Sequence, residues 1–435
     1  MSASPAEVTA VRWGDLCPWL LLVRGARVAL FVRVIVLAAA GVLLTEWGWS
    51  ALEAALLPAE GVAPLGRLTE RPAPLPWQTS PPAADAGWQP FDAVDGRGWS
   101  GPLVRGWAWA IQPLTRLGAA ESFGAGVLYT LAGVWTMAVW SLFGGAIARI
   151  AAVHLTRRDL LGPAAALQSG VRWWPSTMSA PSFCFGVIAI FVALLVVGGL
   201  VLRLGLLAFL ASLAWPLALC VGLGIAAFAL GLLIGWPLMW SAVAVERTDA
   251  FDAVSRGYAF AYQRPLHLTF FLLVATVVGV LAQALVTLVA EGALLAVEQA
   301  IALGAGPAYA AALLGKTVPG EGEALGLLAG SAGNIMQFWT AGYLALARAF
   351  PLAYLFPVAV AMYLLLRQLI DSTELAEVTL DGEELPAPPP LVPDPATGVP
   401  TLAAGDDAVP NVPPNGATAA DAPSATVSEL RGGST

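Results

Sequence analysis

Long apolar runs alternate along this chain with short polar stretches rich in arginine. The runs cover residues 28–44, 123–150, 181–202, 216–245 and 266–303, and a last one from about Phe338 or Phe350 to Ile370. Each is long enough to cross a hydrocarbon core as a helix, which takes about 20 residues. The first run follows Arg24 and Arg27, begins late for a signal peptide and lacks a small-residue cleavage pattern at Thr45-Glu46-Trp47. It reads as an uncleaved span, with Arg33 snorkelling toward the Arg27 side. Arg149 closes the second span, and Gly162-Pro163 starts a short helix that Trp173-Trp174-Pro175 ends at the membrane interface. The third span is closed by Arg203, and 204–214 is too short to cross. The fourth contains Pro237 and a small face at Gly224 and Gly231. A single helix over 266–303 would be about 55 Å long, nearly twice the hydrocarbon core. It must break near Gly292 or project, with Glu291 and Glu298 in water. Residues 304–335 read as a Gly-rich loop holding Lys316, Glu321 and Glu323, and Pro351 and Pro357 as breaks in the last span.

Two segments carry an amphipathic pattern instead. From Leu103, a stripe of Leu103, Trp107, Ala110, Ile111, Leu114 and Leu117 lies opposite Arg105, Gln112 and Arg116, as in a helix lying in the membrane interface. Trp109 falls on its polar side, and Pro113 should kink it. Between the fourth and fifth spans, Phe251, Val254, Tyr258 and Tyr262 form one stripe, and Glu246, Asp249, Asp252, Arg256 and Gln263 the opposite face. Asp249 can cap this helix, Asp252 and Arg256 can pair four residues apart, and Pro265 should end it; Phe260 fits neither face. The pattern predicts an amphipathic helix on the membrane or on the inner face of the bundle. A faint echo lies upstream, where Ala166-Leu167-Gln168-Ser169-Gly170 parallels Ala253-Val254-Ser255-Arg256-Gly257, as in a parallel repeat of spans two and three with four and five.

Composition agrees with the pattern. Of 435 residues 58% are hydrophobic and 11% charged, too few charges for a soluble surface. The expected fold is all-α, a polytopic bundle of about six spans with interfacial helices. Its expected parts are 1–46 with the first span, an extracytoplasmic loop over 47–122, a five-span domain over 123–375, and an acidic Pro/Ala-rich tail over 376–435, expected to be disordered. The net charge of −8 argues against nucleic acid as a partner. Cys17, Cys184 and Cys220 form no disulfide or metal spacing, and two histidines are too few for a His-based metal centre. No cofactor motif is present, and no nucleophile elbow, HExxH, Walker motif or paired intramembrane Asp.

Arginines set the orientation. Arg12, Arg24 and Arg27, then Arg149, Arg157, Arg158 and Arg172, then Arg247, Arg256 and Arg264 mark alternate connections. Positive-inside counting puts these, and both termini, on the cytoplasmic side of the membrane.

Glu246, Asp252, Ala253, Ser255, Arg256, Gly257 and Pro265 carry a resemblance. A span, then Glu, then Asp-Ala with Ser-Arg-Gly, then a Pro-bounded span resembles a group of bacterial multipass membrane proteins. It is also distantly similar to the membrane domain that accompanies some glycerophosphodiester phosphodiesterases. The catalytic domain of those enzymes has no counterpart here, so the resemblance implies a layout and a membrane location. The function expected is a non-enzymatic membrane scaffold, embedded in the lipid bilayer and docking a protein partner at its cytoplasmic face through Glu246, Asp249, Asp252, Arg256 and Gln263. The alternative is a transporter or permease component.

Overall fold

The computed structural model describes residues 17–56, 64–69, 101–120, 122–203, 208–209, 212–315, 327–371, 391–393 and 400–402. Most of the 47–122 loop, much of 204–214, the charges Lys316, Glu321 and Glu323, and most of the tail lie outside them. Residues Met1–Leu380 form one compact unit and Asp381–Thr435 a second. In the second unit the described residues are an antiparallel pair, β1 (Leu391–Pro393) and β2 (Pro400–Leu402).

The first unit is an all-α bundle. Its helices are α1 (Leu20–Ala29), α2 (Val32–Leu56), α3 (Pro102–Gly118), α4 (Phe123–Arg157), α5 (Pro163–Val201) and α6 (Trp215–Glu246). The chain continues through α7 (Ala250–Gln263), α8 (Pro265–Ala305), α9 (Pro307–Leu313), α10 (Leu327–Arg348) and α11 (Phe350–Asp371). Among the described residues six helices are long and apolar enough to cross a membrane: α2, α4, α5, α6, α8, and the run Gly330–Asp371 that joins α10 to α11. This makes the chain a membrane protein.

The bundle is built around α11. Every residue from Phe350 to Arg367 is buried, which suits a helix that is apolar all round. Its neighbours present glycines to it. A Cβ on Gly25 of α1 would lie 3.2 Å from the Pro357 carbonyl oxygen, and one on Gly106 of α3 2.7 Å from that of Pro351. A Cβ on Gly144 of α4 would meet the Phe356 ring at 2.6 Å, and one on Gly279 of α8 the Tyr354 ring at 2.8 Å. Lipid tails are as apolar as the core, so helices associate through such close packing. Pro351 sits in the first turn of α11, where its missing N–H is one of the unsatisfied donors anyway. Pro357 lies inside the helix without ending it, contrary to the expected break. Around Phe356 runs a column of rings: Trp140 at 5.4 Å and Trp240 at 5.8 Å, both stacked, and Trp236 at 6.3 Å. Trp140 continues it through Trp109 to Trp49.

Several expectations are corrected. The polar start hides α1, which buries Leu21, Leu22, Ala26 and Val28 while Arg24 and Arg27 stay exposed. Residues 163–201 form one helix through Pro175 and Pro181, where the pattern predicts an interfacial helix and a separate span. Residues 265–305 form one unbroken helix through Gly292, and 304–335 contains α9 and the start of α10. Arg149 does not close the second span, because α4 continues two turns to Arg157. Arg149 is 1% exposed and donates to the Ala244 carbonyl at 2.9 Å, satisfying an orphan acceptor in the last turn of α6. Arg33 donates to the Leu161 carbonyl at 2.9 Å.

The largest correction concerns the faces of α3 and α7. Helix α3 buries Arg105, Gly106, Trp109 and Gln112, and exposes Val104, Leu114 and Leu117. Helix α7 buries Ala253, Gly257, Phe260 and Ala261, and exposes Phe251 and Tyr262. In α3 the predicted apolar stripe divides: Leu103 and Ile111 are buried as expected, Leu114 and Leu117 point outward, and Arg105, Trp109 and Gln112 of the predicted polar side are buried too. In α7 the buried face is turned by about a third of a turn from it. In both helices some large apolar side chains face out, while small residues such as Gly106, Ala253 and Gly257 face the bundle beside Trp109 and Phe260. Helix α7 also folds back along α6 instead of lying on the bundle's end. Gly257 approaches Met239 and Gly235, and the Tyr258 and Tyr262 hydroxyls donate to the Phe228 and Ala227 carbonyls at 2.8 and 2.6 Å.

Candidate functional site

The site forms where α6, α7 and α11 meet. Glu246 is the last residue of α6, and Arg247 turns the chain with a left-handed backbone, φ 59°. Asp249 then caps α7, its side chain accepting from the Asp252 N–H at 2.9 Å. This sharp reversal sets Glu246 against the polar side of α7. One turn along, the Arg256 guanidinium donates to Asp252 from Nε at 3.0 Å and to Glu246 from Nη1 at 2.8 Å. The Thr248 hydroxyl donates to the same Asp252 carboxylate at 2.5 Å.

The central helix supplies the other half. The Tyr363 hydroxyl donates to Glu246 Oε1 at 2.6 Å, and Arg367 Nε lies 3.3 Å from the same oxygen as an ion-pair partner. Tyr363 and Arg367 are four residues apart, so they share a face of α11. Asp371, one turn further, lies 3.7 Å from Arg256. Glu246 is thus held by two guanidiniums and a phenol, with its side chain 14% exposed. Burial alone would lower the Arg256 pKa; the surrounding acidic groups, with the carboxylates of Glu246 and Asp252 charged beside it, outweigh it and hold the guanidinium above its ordinary value.

Of the predicted face, Glu246, Asp252 and Arg256 come together, and Asp249 serves as the cap. Gln263 lies exposed at the far end of α7, away from the cluster. Tyr363, Arg367 and Asp371 are members the sequence reading missed. Their signal is there, since Tyr363, Arg367 and Asp371 recur every four residues along a largely apolar span end.

The neighbouring hairpin is joined to this one. Arg247 donates to Ser169 Oγ at 2.8 Å and lies 5.4 Å over the Trp173 ring. Beside them Ser141, Ser169, Trp173, Thr177 and Arg247 line a cavity of about 10 Å³, room for one water. Both hairpins turn on a left-handed arginine, Arg158 (φ 61°) and Arg247 (φ 59°). Gly170 and Gly257, paired in the upstream echo, both pack tightly on the preceding span: their Cβ atoms would meet Leu142 O at 2.8 Å and Met239 Cγ at 2.6 Å.

A second polar cluster closes the opposite end. Glu46 on α2 accepts from the Leu68 and Thr69 backbone at 2.6 and 3.1 Å and from the Thr69 hydroxyl. Arg67 pairs with Glu53 at 2.5 Å, and Arg348 donates to the Thr69 carbonyl. Each of these contacts staples segment 64–69 to the bundle. Among the described residues no group of His, Cys, Asp and Glu is arranged to hold a metal ion. Comparison of the chain with protein-family models, curated proteins and solved structures finds no match.

Proposed function

We propose that this chain is a non-enzymatic scaffold of a bacterial inner membrane, with both termini cytoplasmic, that docks a protein partner through the outer edge of α7. The observation that carries this reading is the fate of α11. The centre of the bundle, where a permease would need a passage between spans, is filled by a helix buried along its length. The charges at its inner end are spent on one another, and that favours anchoring over conduction. What α7 leaves accessible is the exposed row of Asp249, Phe251, Ser255, Tyr262 and Gln263, on a helix that the Glu246 cluster holds rigidly. The docking face is therefore narrower than the charge pattern suggests, since Glu246, Asp252 and Arg256 work inside the protein. Sidedness rests on Arg27, Arg33, Arg158, Arg247, Arg256 and Arg367, all at the end where α2 begins and α11 finishes. The likeness to the membrane domain that accompanies glycerophosphodiester phosphodiesterases remains a proposal about layout.

The test places a photo-crosslinking residue at Ser255 and, as control, at the exposed apolar position Ile190. Irradiation in membranes is expected to give one discrete protein adduct from position 255 and none from 190. The purified chain in liposomes is expected to pass no solute, and flux of an ion or solute by the protein alone would overturn the reading.

A further inference from the structure

At the inner end of α1, α2 and α4, positive charge collects: Arg27, Arg33 and Arg158 stand against a single carboxylate of the 158–162 connection, the exposed Asp159, which makes no ion pair with them among the described residues. Phe31, in the junction between α1 and α2, organises the place. Its ring meets the His154 ring edge-on at 5.1 Å, and the Arg33 guanidinium lies 5.0 Å over it. Arg33 Nη1 is committed to the Leu161 carbonyl at 2.9 Å, which fixes the guanidinium at the mouth of the 158–162 connection. Arg158 opens that connection with a left-handed backbone, and its side chain is exposed. Arg27 is exposed in the last turn of α1, one turn before Phe31. His154 Nδ1 is buried and has no hydrogen-bond partner.

Among the described residues, none of Arg27, Arg33 and Arg158 makes an ion pair, whereas Arg256 and Arg367 share Glu246 and Arg67 holds Glu53. A fixed guanidinium, two reachable ones and an unsatisfied imidazole nitrogen around an aromatic floor form a site for a phosphate, which guanidiniums bind through paired N–H donors. Its position at a span end is the depth of phospholipid headgroups, and polybasic segments there attract anionic lipid.

We propose that the Phe31–Arg33–His154–Arg158 niche binds the phosphate of an anionic phospholipid headgroup. This does not depend on the docking reading of α7. A lipid bound there bridges the α1–α2 junction and the 158–162 connection, and so holds the first two spans together.

The test uses the full chain in neutral detergent, with phosphatidylglycerol, phosphatidylcholine or inorganic phosphate added. Retained lipid is counted by native mass spectrometry, and unfolding is followed by heating. Wild type is expected to retain phosphatidylglycerol and to melt at a higher temperature with it, and to respond to neither of the other two. Near an anionic surface each arginine is worth about fivefold in affinity. Arg158→Gln should therefore bind about fivefold more weakly, and Arg33→Gln more weakly still because Leu161 loses its donor too. Arg158 is exposed, so R158Q keeps the fold and separates loss of lipid from loss of structure. Arg172→Gln, at an exposed arginine of α5, should bind as wild type does. Equal loss in R172Q would mean a diffuse positive belt and overturn the site. An equal response to phosphatidylcholine would overturn charge recognition, and an equal response to inorganic phosphate would overturn the lipid as its source.

Discussion

Glu246→Ala is expected to destabilise the bundle by about 3–5 kcal/mol, the usual cost of removing one member of a buried ion pair and leaving its partners uncompensated. The substitution takes Glu246 away from Arg367, whose side chain is 10% exposed, from the Tyr363 hydroxyl and from the inner arm of Arg256. Tyr363 and Arg367 cannot reach bulk water without the end of α11 coming loose, whereas Arg256, 32% exposed, keeps Asp252 and solvent. Asp249→Ala is the comparator. It removes only a helix cap, which costs about 1 kcal/mol. Unfolding of the purified chain in detergent measures both. A loss near 1 kcal/mol for E246A would mean that Arg256 and Arg367 find water or Asp371 instead, and the cluster would be an ornament of the end. Replacing Glu246, Arg256 and Arg367 together by leucine or methionine should recover much of the loss, because a well-packed apolar set often matches a buried ion network.

Phe356→Ala is the second large effect, at about 3–5 kcal/mol. Phe356 is 1% exposed, stacked between Trp140 and Trp240 with Trp236 on its edge, and Gly144 approaches its ring end-on. Three indoles cannot collapse into the space of one ring without leaving their own packing, so the cavity stays open. Phe338→Ala, at a ring 70% exposed on α10, should change stability by less than about 0.5 kcal/mol. The pair separates packing at the bundle centre from hydrophobicity as such, and equal effects would contradict a core centred on α11.

The spans were legible because an apolar run of bilayer length leaves few alternatives. The choice at Gly292 was not legible, because a glycine that touches nothing within 4 Å gives no reason to break a helix or to keep it. The faces of α3 and α7 misled for a different reason. A 100° plot separates apolar from polar residues but does not say what each face meets. Outside lipid, Leu114 and Leu117 would turn inward; beside lipid they turn out, and Arg105, Gln112 and Gly106 share the interior with Leu103, Trp109 and Ile111. Phe260 was the clue in α7: it fitted neither stripe and is the largest buried side chain of that helix. Arg149 misled because a charge near the end of an apolar run looks like its boundary, whereas this one caps a neighbouring helix from inside the bundle. The site was half legible. Spacing within 246–263 pairs Asp252 with Arg256, but contacts with Tyr363 and Arg367, more than a hundred residues away, need the fold.

The central claim is that α7 folds back along α6 and is fixed there by Glu246. It is tested most directly by cysteines at Ala227 and Tyr262, in a chain whose Cys17, Cys184 and Cys220 are replaced, treated with a short bis-maleimide in native membranes. The Tyr262 hydroxyl reaches the Ala227 carbonyl at 2.6 Å, so the account predicts efficient intramolecular cross-linking, sharply reduced when Glu246→Ala is added. A helix lying on the bundle's end would leave position 262 far from 227 and open to water-soluble maleimides, and absence of the cross-link with ready labelling at 262 would contradict the account.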